Sequence, residues 1–314
     1  MWHLKIYTLA PRENWICDRF VQEWNSENQE CVSENIHDSE LVWLLADWCW
    51  NQIDPRILSQ KKVVASVHHI TPSKFKENEA KEFLYRDQFV DAYHVPCHKT
   101  KDQIVGLTNK PIYTFPFWVN QNMWKNKRLA KAMLRQNYGL RKNDYLIGSF
   151  QRDTEGHDLI TPKLEKGPDL FCDAVEKFHA QRPNVSVVLA GWRRQYVINR
   201  LEKAGIHYDY FELPSFDVIN DLYNCLDLYV VAARYEGGPQ AIVECAVNGT
   251  PIISTDVGLA SEILSSSSIF EPGNELDAEA DTNTAYSNVM PLLMPSGFTK
   301  FHDMFREVLR NAKS

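Results

Sequence analysis

The chain has 314 residues, enough for two compact domains of roughly 100–200 residues each. Its 44% hydrophobic and 24% charged content is that of a globular protein, and a net charge of −7 argues against a general nucleic-acid binder, which is normally basic. Seven cysteines without CxxC spacing support neither a disulfide framework nor a zinc site and fit a reducing compartment. The N-terminal MWHLKIYTLAPREN has too short an apolar core for a signal peptide, and no run reaches the ~18–20 apolar residues of a membrane span. The expectation is a cytoplasmic protein, at most peripheral at the inner face of a membrane.

Residues 3–9 read as the first strand, with Asn14 as the cap of a helix running to about residue 24. Arg12, in the loop between them, is either a solvated arginine or a charge offered to an acceptor. Runs 41–46 and 62–67 read as buried strands, with a short helix opened by Asp54-Pro55 between them. His68 and His69 follow the second run, at the carboxyl end of a strand, where open α/β sheets place ligands. Vicinal histidines on an extended segment point to opposite sides, so a shared metal is not expected. A charged helix over 73–86 and strands over 89–95 and 111–115 complete this half. Short apolar runs alternating with helical stretches indicate a parallel α/β sheet. Seven of the nine tryptophans lie at or before Trp118. Large aromatics serve packing first, but Trp48 and Trp50, just past a strand's carboxyl end, are candidates to stack on a carbohydrate acceptor.

The aromatic, proline-bearing stretch 115–120 reads as a stiff crossing into the second half. Residues 123–142 then carry Lys125, Lys127, Arg128, Lys131, Arg135, Arg141 and Lys142 with no acid among them. Read as a basic helix over 123–138, this run is either a solvated face or a peripheral contact with a phospholipid surface. Strand 145–150 leads into Gln151-Arg152, and Glu165-Lys166-Gly167-Pro168 opens a helix to about residue 180. The intervening loop 153–165, with Glu155, His157 and Asp158, reads as loose surface. Strand 185–190 ends at Gly191, strand 208–213 leads to Leu213-Pro214-Ser215, and a helix over 217–225 follows.

The apolar run 226–233 suits a strand buried on both faces. Glu236-Gly237-Gly238-Pro239 breaks it: two glycines admit positive φ and close backbone approach of a ligand, and Pro239 suits a first helical turn. Gln240 begins a helix that Asn248-Gly249 stops, before a strand over 252–255. Glu236 lies in the turn and Glu244 about one helical turn in, with seven residues between them. Unpaired N–H groups at the helix start make an anion site. An anion cradle flanked by two carboxylates suits a nucleotide-sugar, with the diphosphate on the amides and hydroxyls on the carboxylates. The plainer reading is a βαβ unit with one capping and one surface glutamate. Residues 274–296 look less structured, and 298–309 place Phe301, Met304, Phe305, Val308 and Leu309 at helical spacing.

The run EGGPQAIVECAVNGTPIISTDVG, followed by Glu262, resembles the donor-site signature of the family 4 retaining glycosyltransferases, with weaker similarity over roughly residues 60 to 275. The resemblance implies an α/β GT-B fold of two Rossmann-like parallel-sheet domains facing across a cleft. Here these would be residues 1–118 on the acceptor side and 119–297 on the donor side, with a C-terminal helix over 298–314 crossing back to the first domain. It implies transfer of a sugar from a UDP-, GDP- or ADP-sugar to a hydroxyl of a carbohydrate, lipid-linked or protein acceptor. Anomeric configuration would be retained and no cofactor used; the absence of an Asp-x-Asp cluster agrees with a reaction that needs no metal.

By the same resemblance, Glu236 contacts the donor sugar, Glu244 the ribose, and Arg152 and Lys166 the pyrophosphate. Gly237, Gly238, Pro239 and Gln240 line the donor, Leu213 and Pro214 the base, with Gly191 beside them, and His69 rather than His68 faces the sugar. Two departures keep a second reading open, that of a catalytically inactive nucleotide-sugar-binding or scaffold protein. No glycine-rich loop follows the first strand, and Gln151 stands where a glycine commonly precedes the arginine. The same missing glycine fingerprint sets aside a nicotinamide-dependent dehydrogenase.

Overall fold

Short runs rich in Val, Ile and Leu form two all-parallel sheets in a computed structural model that describes residues 4–13, 16–156 and 158–311. Asn14 and His157 lie outside the described residues. The chain divides into two units, Met1–Trp118 with Met294–Ser314, and Val119–Leu293.

The first unit contains β1 (Ile6–Leu9), α1 (Ile16–Glu27), β2 (Leu41–Leu44), α2 (Pro55–Leu58), β3 (Lys62–Ser66), α3 (Glu77–Asp87), β4 (Ala92–Val95), α4 (His98–Ile104) and β5 (Ile112–Thr114). The sheet order is β1-β2-β3-β4-β5. Val32 makes a single parallel bridge to Ile6 on the outer edge of β1, and Ser33 N–H donates to the Ile6 carbonyl at 2.8 Å. The chain therefore passes outside β1 before returning to β2 on its other side. That reversal puts α1 and α3 on opposite faces. Phe20 and Trp24 of α1 meet the Trp43 face, whereas Phe83 of α3 stacks on Tyr93 at 5.4 Å on the other.

The second unit contains α5 (Lys131–Asn137), β6 (Tyr145–Ser149), α6 (Pro168–Gln181), β7 (Val185–Ala190), α7 (Gln195–Ala204), β8 (Tyr208–Phe211), α8 (Phe216–Cys225), β9 (Leu228–Val231), α9 (Gln240–Asn248), β10 (Ile252–Thr255), α10 (Ala260–Ile263), β11 (Ile269–Phe270) and α11 (Thr282–Val289). Its order is β11-β10-β9-β6-β7-β8, so the strand sequence reverses between β6 and β9. In open α/β sheets, ligands bind outside the carboxyl ends of the strands at such a reversal.

Two expectations for this unit are corrected. Residues 274–296 hold a regular helix, α11, capped by Asp281, whose carboxylate accepts from Asn283 N–H and Thr284 N–H. The basic stretch is not one helix over 123–138; α5 covers only Lys131–Asn137. Three of its cations turn inward, while Lys125, Arg141 and Lys142 stay exposed. Arg128 and Lys131 donate to the Leu226 carbonyl, Arg135 to the Cys225 carbonyl, and Lys131 and Arg135 also pair with Asp227. These carbonyls close the C-terminus of α8, where the helix dipole favours positive charge. Burial pushes the Asp227 carboxyl up, but hydrogen bonds from Lys131, Leu146 N–H and Arg135 outweigh it and hold the group below its usual range. No helix among the described residues is long and apolar enough to cross a membrane.

After Leu293 the chain returns to the first unit as α12 (Thr299–Arg310). Phe301 and Phe305 pack on Trp43, with Trp24 and Trp118 beside them. Beneath these rings Trp43 Nε1 donates to Ser66 Oγ at 2.9 Å. Ser66 in turn donates to His94 Nδ1 at 3.0 Å, and His94 Nε2 donates to the Phe115 carbonyl at 2.9 Å. Burial pushes the His94 imidazole down to about 3, so it is neutral inside this aromatic core.

Candidate active site

The reversal between β6 and β9 gathers four segments at one edge of the second sheet. Residues 150–152 leave β6, 164–167 lead into α6, 234–240 leave β9 for α9, and 256–259 leave β10. Backbone hydrogen bonds tie two of them together: Arg234 N–H and Tyr235 N–H both donate to the Glu165 carbonyl, at 2.8 and 3.1 Å. Arg234 reinforces the seam with a bidentate pair to Asp169, at 2.7 and 2.6 Å, and a bond to the Leu164 carbonyl at 2.9 Å. Hydrogen bonds from Arg234 outweigh burial and hold the Asp169 carboxyl below its usual range. The result places Lys166 against Glu236, and Lys166 Nζ forms an ion pair with Glu236 Oε1. Both side chains are partly exposed, so the pair sits at the edge and not in the core.

Glycine is required where these segments cross. Gly167, the N-cap of α6, has φ 62°, and a Cβ there would lie 1.8 Å from the Ala232 carbonyl oxygen. Gly258 has φ 52°, and its Cβ would lie 2.2 Å from the Gly237 carbonyl oxygen, which Leu259 N–H holds at 2.9 Å. The sequence allowed positive φ at Gly237 and Gly238. The structure does not use it there: neither is among the described residues with positive φ, whereas Gly167, Gly191 and Gly258 are. Pro239 caps α9, and the Gln240 amide turns back to the Gly238 carbonyl at 3.1 Å.

Glu244 lies on α9 and is only 6% exposed, and Tyr223 Oη donates to its Oε2 at 2.8 Å. Gln151 Nε2 donates to the Lys166 carbonyl at 2.9 Å, joining the β6 loop to the start of α6. Arg152 instead folds onto its own loop, donating to the Thr154 carbonyl at 2.8 Å. Gly191, at φ 98°, ends β7 beside the Gln151 backbone and accepts from Tyr210 Oη at 2.9 Å. Leu213 takes φ 47° and is mostly exposed ahead of Pro214 and Ser215, the N-cap of α8.

The described residues of loop 153–165 form a hydrogen-bonded hairpin and not the loose loop expected. Thr154 bridges Pro162, Glu155 N–H donates to the Thr161 carbonyl, and Arg193 holds the Gly156 carbonyl. Beneath it lies a pair that the sequence reading missed. Arg194, fully buried, bonds to Asp153 at 3.1 Å, to the Ala190 carbonyl at 2.9 Å and to both the carbonyl and hydroxyl of Ser149. It clamps the carboxyl ends of β6 and β7 together. Burial pushes the Asp153 carboxyl up against the opposing pull of Arg194. The signal available was an arginine pair, Arg193-Arg194, directly after a buried strand.

In the first unit, His68 and His69 follow β3 and are both half-buried. His68 Nε2 donates to the Leu45 carbonyl at 2.9 Å and its ring stacks on Phe117. The backbone on either side is tied to α4: Thr100 Oγ1 donates to the His68 carbonyl, and Gln103 exchanges two bonds with Ile70. Arg12 is exposed at φ 57°, and Trp48, 48% exposed, lies 5.6 Å from His68. Trp50, by contrast, packs into the first unit. It is 7% exposed, donates to Glu82 at 3.1 Å and stacks with Phe89, which leaves no open face. Among the described residues, no group of three or more His, Cys, Asp or Glu is placed to hold a metal ion.

The family model described as "Glycosyl transferases group 1" matches residues 162–288, the stretch that supplies Lys166, Glu236 and Glu244. A curated relative, the lipopolysaccharide core biosynthesis mannosyltransferase LpsB of Rhizobium meliloti (strain 1021), is 29% identical over 140 residues. That match covers 41% of this chain and 40% of the relative's length. Two solved structures are similar over nearly the whole chain. Anabaena Alr3699/HepE in complex with UDP and glucose superposes with a TM-score of 0.77 at 14% identity, covering 98% of this chain and 100% of that one. Sucrose-phosphate synthase (tll1590) from Thermosynechococcus elongatus gives 0.69 at 13% identity, covering 97% and 81%.

The fold is GT-B. Its two Rossmann-like units are the two parallel sheets described above.

Proposed function

We propose that the chain is a glycosyltransferase that moves a sugar from a nucleoside-diphosphate donor to a hydroxyl, with retention of configuration and without a metal. One observation carries the reading. Lys166 and Glu236 pair at the strand-order reversal, beside the N-terminus of α6, within the stretch that matches the glycosyltransferase model. A helix N-terminus and a lysine favour a diphosphate, and both stabilise the charge that develops on it as it leaves. In the relatives named above, UDP with glucose is the bound pair and mannosyl transfer the named activity.

In this reading Lys166 and Arg152 hold the diphosphate, Glu236 accepts from hydroxyls of the sugar, and Glu244 from those of the ribose. The base lies against Leu213 and Pro214, and Arg12 and Trp48 belong to the acceptor side. The bond between the anomeric carbon and the phosphate oxygen breaks, and the acceptor oxygen bonds to that carbon. The acceptor's proton passes to the leaving phosphate. Arg152 has to leave the Thr154 carbonyl to serve.

A thermal-shift panel of UDP, GDP, ADP and their sugars, with and without chelator, tests this directly. One nucleotide series raises Tm, chelator makes no difference, and the matching labelled donor releases its sugar. Tight nucleotide binding with no release from any donor favours the inactive binding protein. No shift with any nucleotide sinks the proposal.

A further inference from the structure

Tyr223 of α8 is buried and donates from its hydroxyl to Glu244 Oε2 at 2.8 Å. Its ring lies 4.8 Å from Phe150, the residue that leads from β6 into Gln151 and Arg152, and 5.4 Å from Tyr229. Tyr229 Oη accepts from Phe150 N–H at 2.8 Å, and Thr250 Oγ1 donates to the Tyr223 carbonyl at 2.9 Å. Tyr223 is thus held by ring and backbone, and its hydroxyl is spent on one carboxylate oxygen. A glutamate has three side-chain torsions, and one charge-assisted bond to a rigid donor removes most of that freedom. Burial, and then the neighbouring Glu244, push the phenol well above its ordinary value, so it stays a donor across the working pH range.

We propose that Tyr223 is a positioning residue: its hydroxyl fixes Glu244 in the orientation that receives the ribose hydroxyls of a nucleoside diphosphate. The inference rests on the ribose role proposed for Glu244. It deepens that role by naming what holds the carboxylate in place. Tyr223 is packed against Phe150, Tyr229 and Trp124 with no open face, so its hydroxyl reaches a ligand only through Glu244.

Tyr223→Phe keeps the ring and deletes only the hydroxyl. The probes are the nucleoside diphosphate that gives the largest thermal shift, its sugar, and inorganic pyrophosphate. For the variant, donor KM and nucleoside-diphosphate Kd rise about ten- to a hundredfold and kcat stays within about twofold, as expected for loss of one bond to a charged group. Pyrophosphate, which has no ribose, binds as it does to the unaltered protein, and this also certifies the fold. In a Glu244→Ala background, Tyr223→Phe changes nucleotide affinity no further. Unaltered nucleotide binding by Tyr223→Phe, with binding lost in Glu244→Ala, overturns the coupling and leaves the ribose reading standing. Parallel weakening of nucleotide and pyrophosphate reduces Tyr223 to a structural residue. Normal binding by Glu244→Ala removes the ribose role and this inference with it.

Discussion

The chain doubles back once across each sheet, and the two reversals are built differently. In the second unit the reversal lies between full strands, β6 and β9, and its edge is laced by ion pairs: Lys166–Glu236, Arg234–Asp169 and Arg194–Asp153. In the first unit it rests on a single bridge, Ile6 to Val32, and the face beside it is filled by Trp24, Trp43, Phe301 and Phe305. One edge fixes charge in place, while the other sets a few side chains on an aromatic mass. The contrast fits the proposed division, in which the second unit takes the nucleoside diphosphate and the first the acceptor.

The sharpest attempt to break this contrast is Gly167→Ala. The added methyl meets the Ala232 carbonyl at 1.8 Å in a left-handed backbone, so the second unit loses more than about 3 kcal/mol in urea unfolding. A milder loss would mean that the segments at the edge shift without penalty. Next, Lys166→Ala lowers kcat about 10²–10³-fold, in keeping with the loss of one preorganised charge at a developing anion. Its stability changes by under about 1 kcal/mol, because the pair is partly solvated. A comparable fall in both would make the pair architectural.

The first unit gives the converse pattern. Trp50→Ala costs about 3 kcal/mol or more through the cavity it leaves, and acceptor KM is unchanged. Trp48→Ala raises acceptor KM several-fold and leaves unfolding nearly untouched. Equal stability losses for the two would erase the distinction drawn from their exposure.

The last test is of pH. Burial lowers His94 from an ordinary 6.5 to about 3, so below about 6.5 the unfolded chain takes up a proton that the native state refuses. Stability of the first unit therefore falls as pH drops from 6.5 towards 3, by about 2–3 kcal/mol at pH 4.5. His94→Gln removes this part of the pH dependence; an unchanged slope in that variant would place its origin elsewhere.

Much of this was legible from residues alone, for local reasons. Strands such as β7 (VSVVLA) and β10 (IIST) are continuous apolar or β-branched runs between turn residues, and α9 starts at Gln240 and stops at Gly249. Helix α11 (TNTAYSNV) escaped notice because only Ala285 and Val289 are buried, too few to mark a face. The basic stretch misled because its partners, Cys225, Leu226 and Asp227, lie some ninety residues on, where no periodicity points. At the site, residue types signalled the ligand chemistry, but not which glycines carry the backbone strain. Gly167 and Gly258 need positive φ because other segments cross over them, and a crossing is a tertiary fact.

The return of α12 to the first unit bears on how the protein is made. On the ribosome, Trp24 and Trp43 emerge long before Phe301 and Phe305, and the whole second unit is synthesised in between. Domains usually mature in order of synthesis. Here the earlier-translated half must wait, greasy side uncovered, until the codons for α12 have been read. That delay makes the nascent chain a natural client for chaperones that shield aromatic surface.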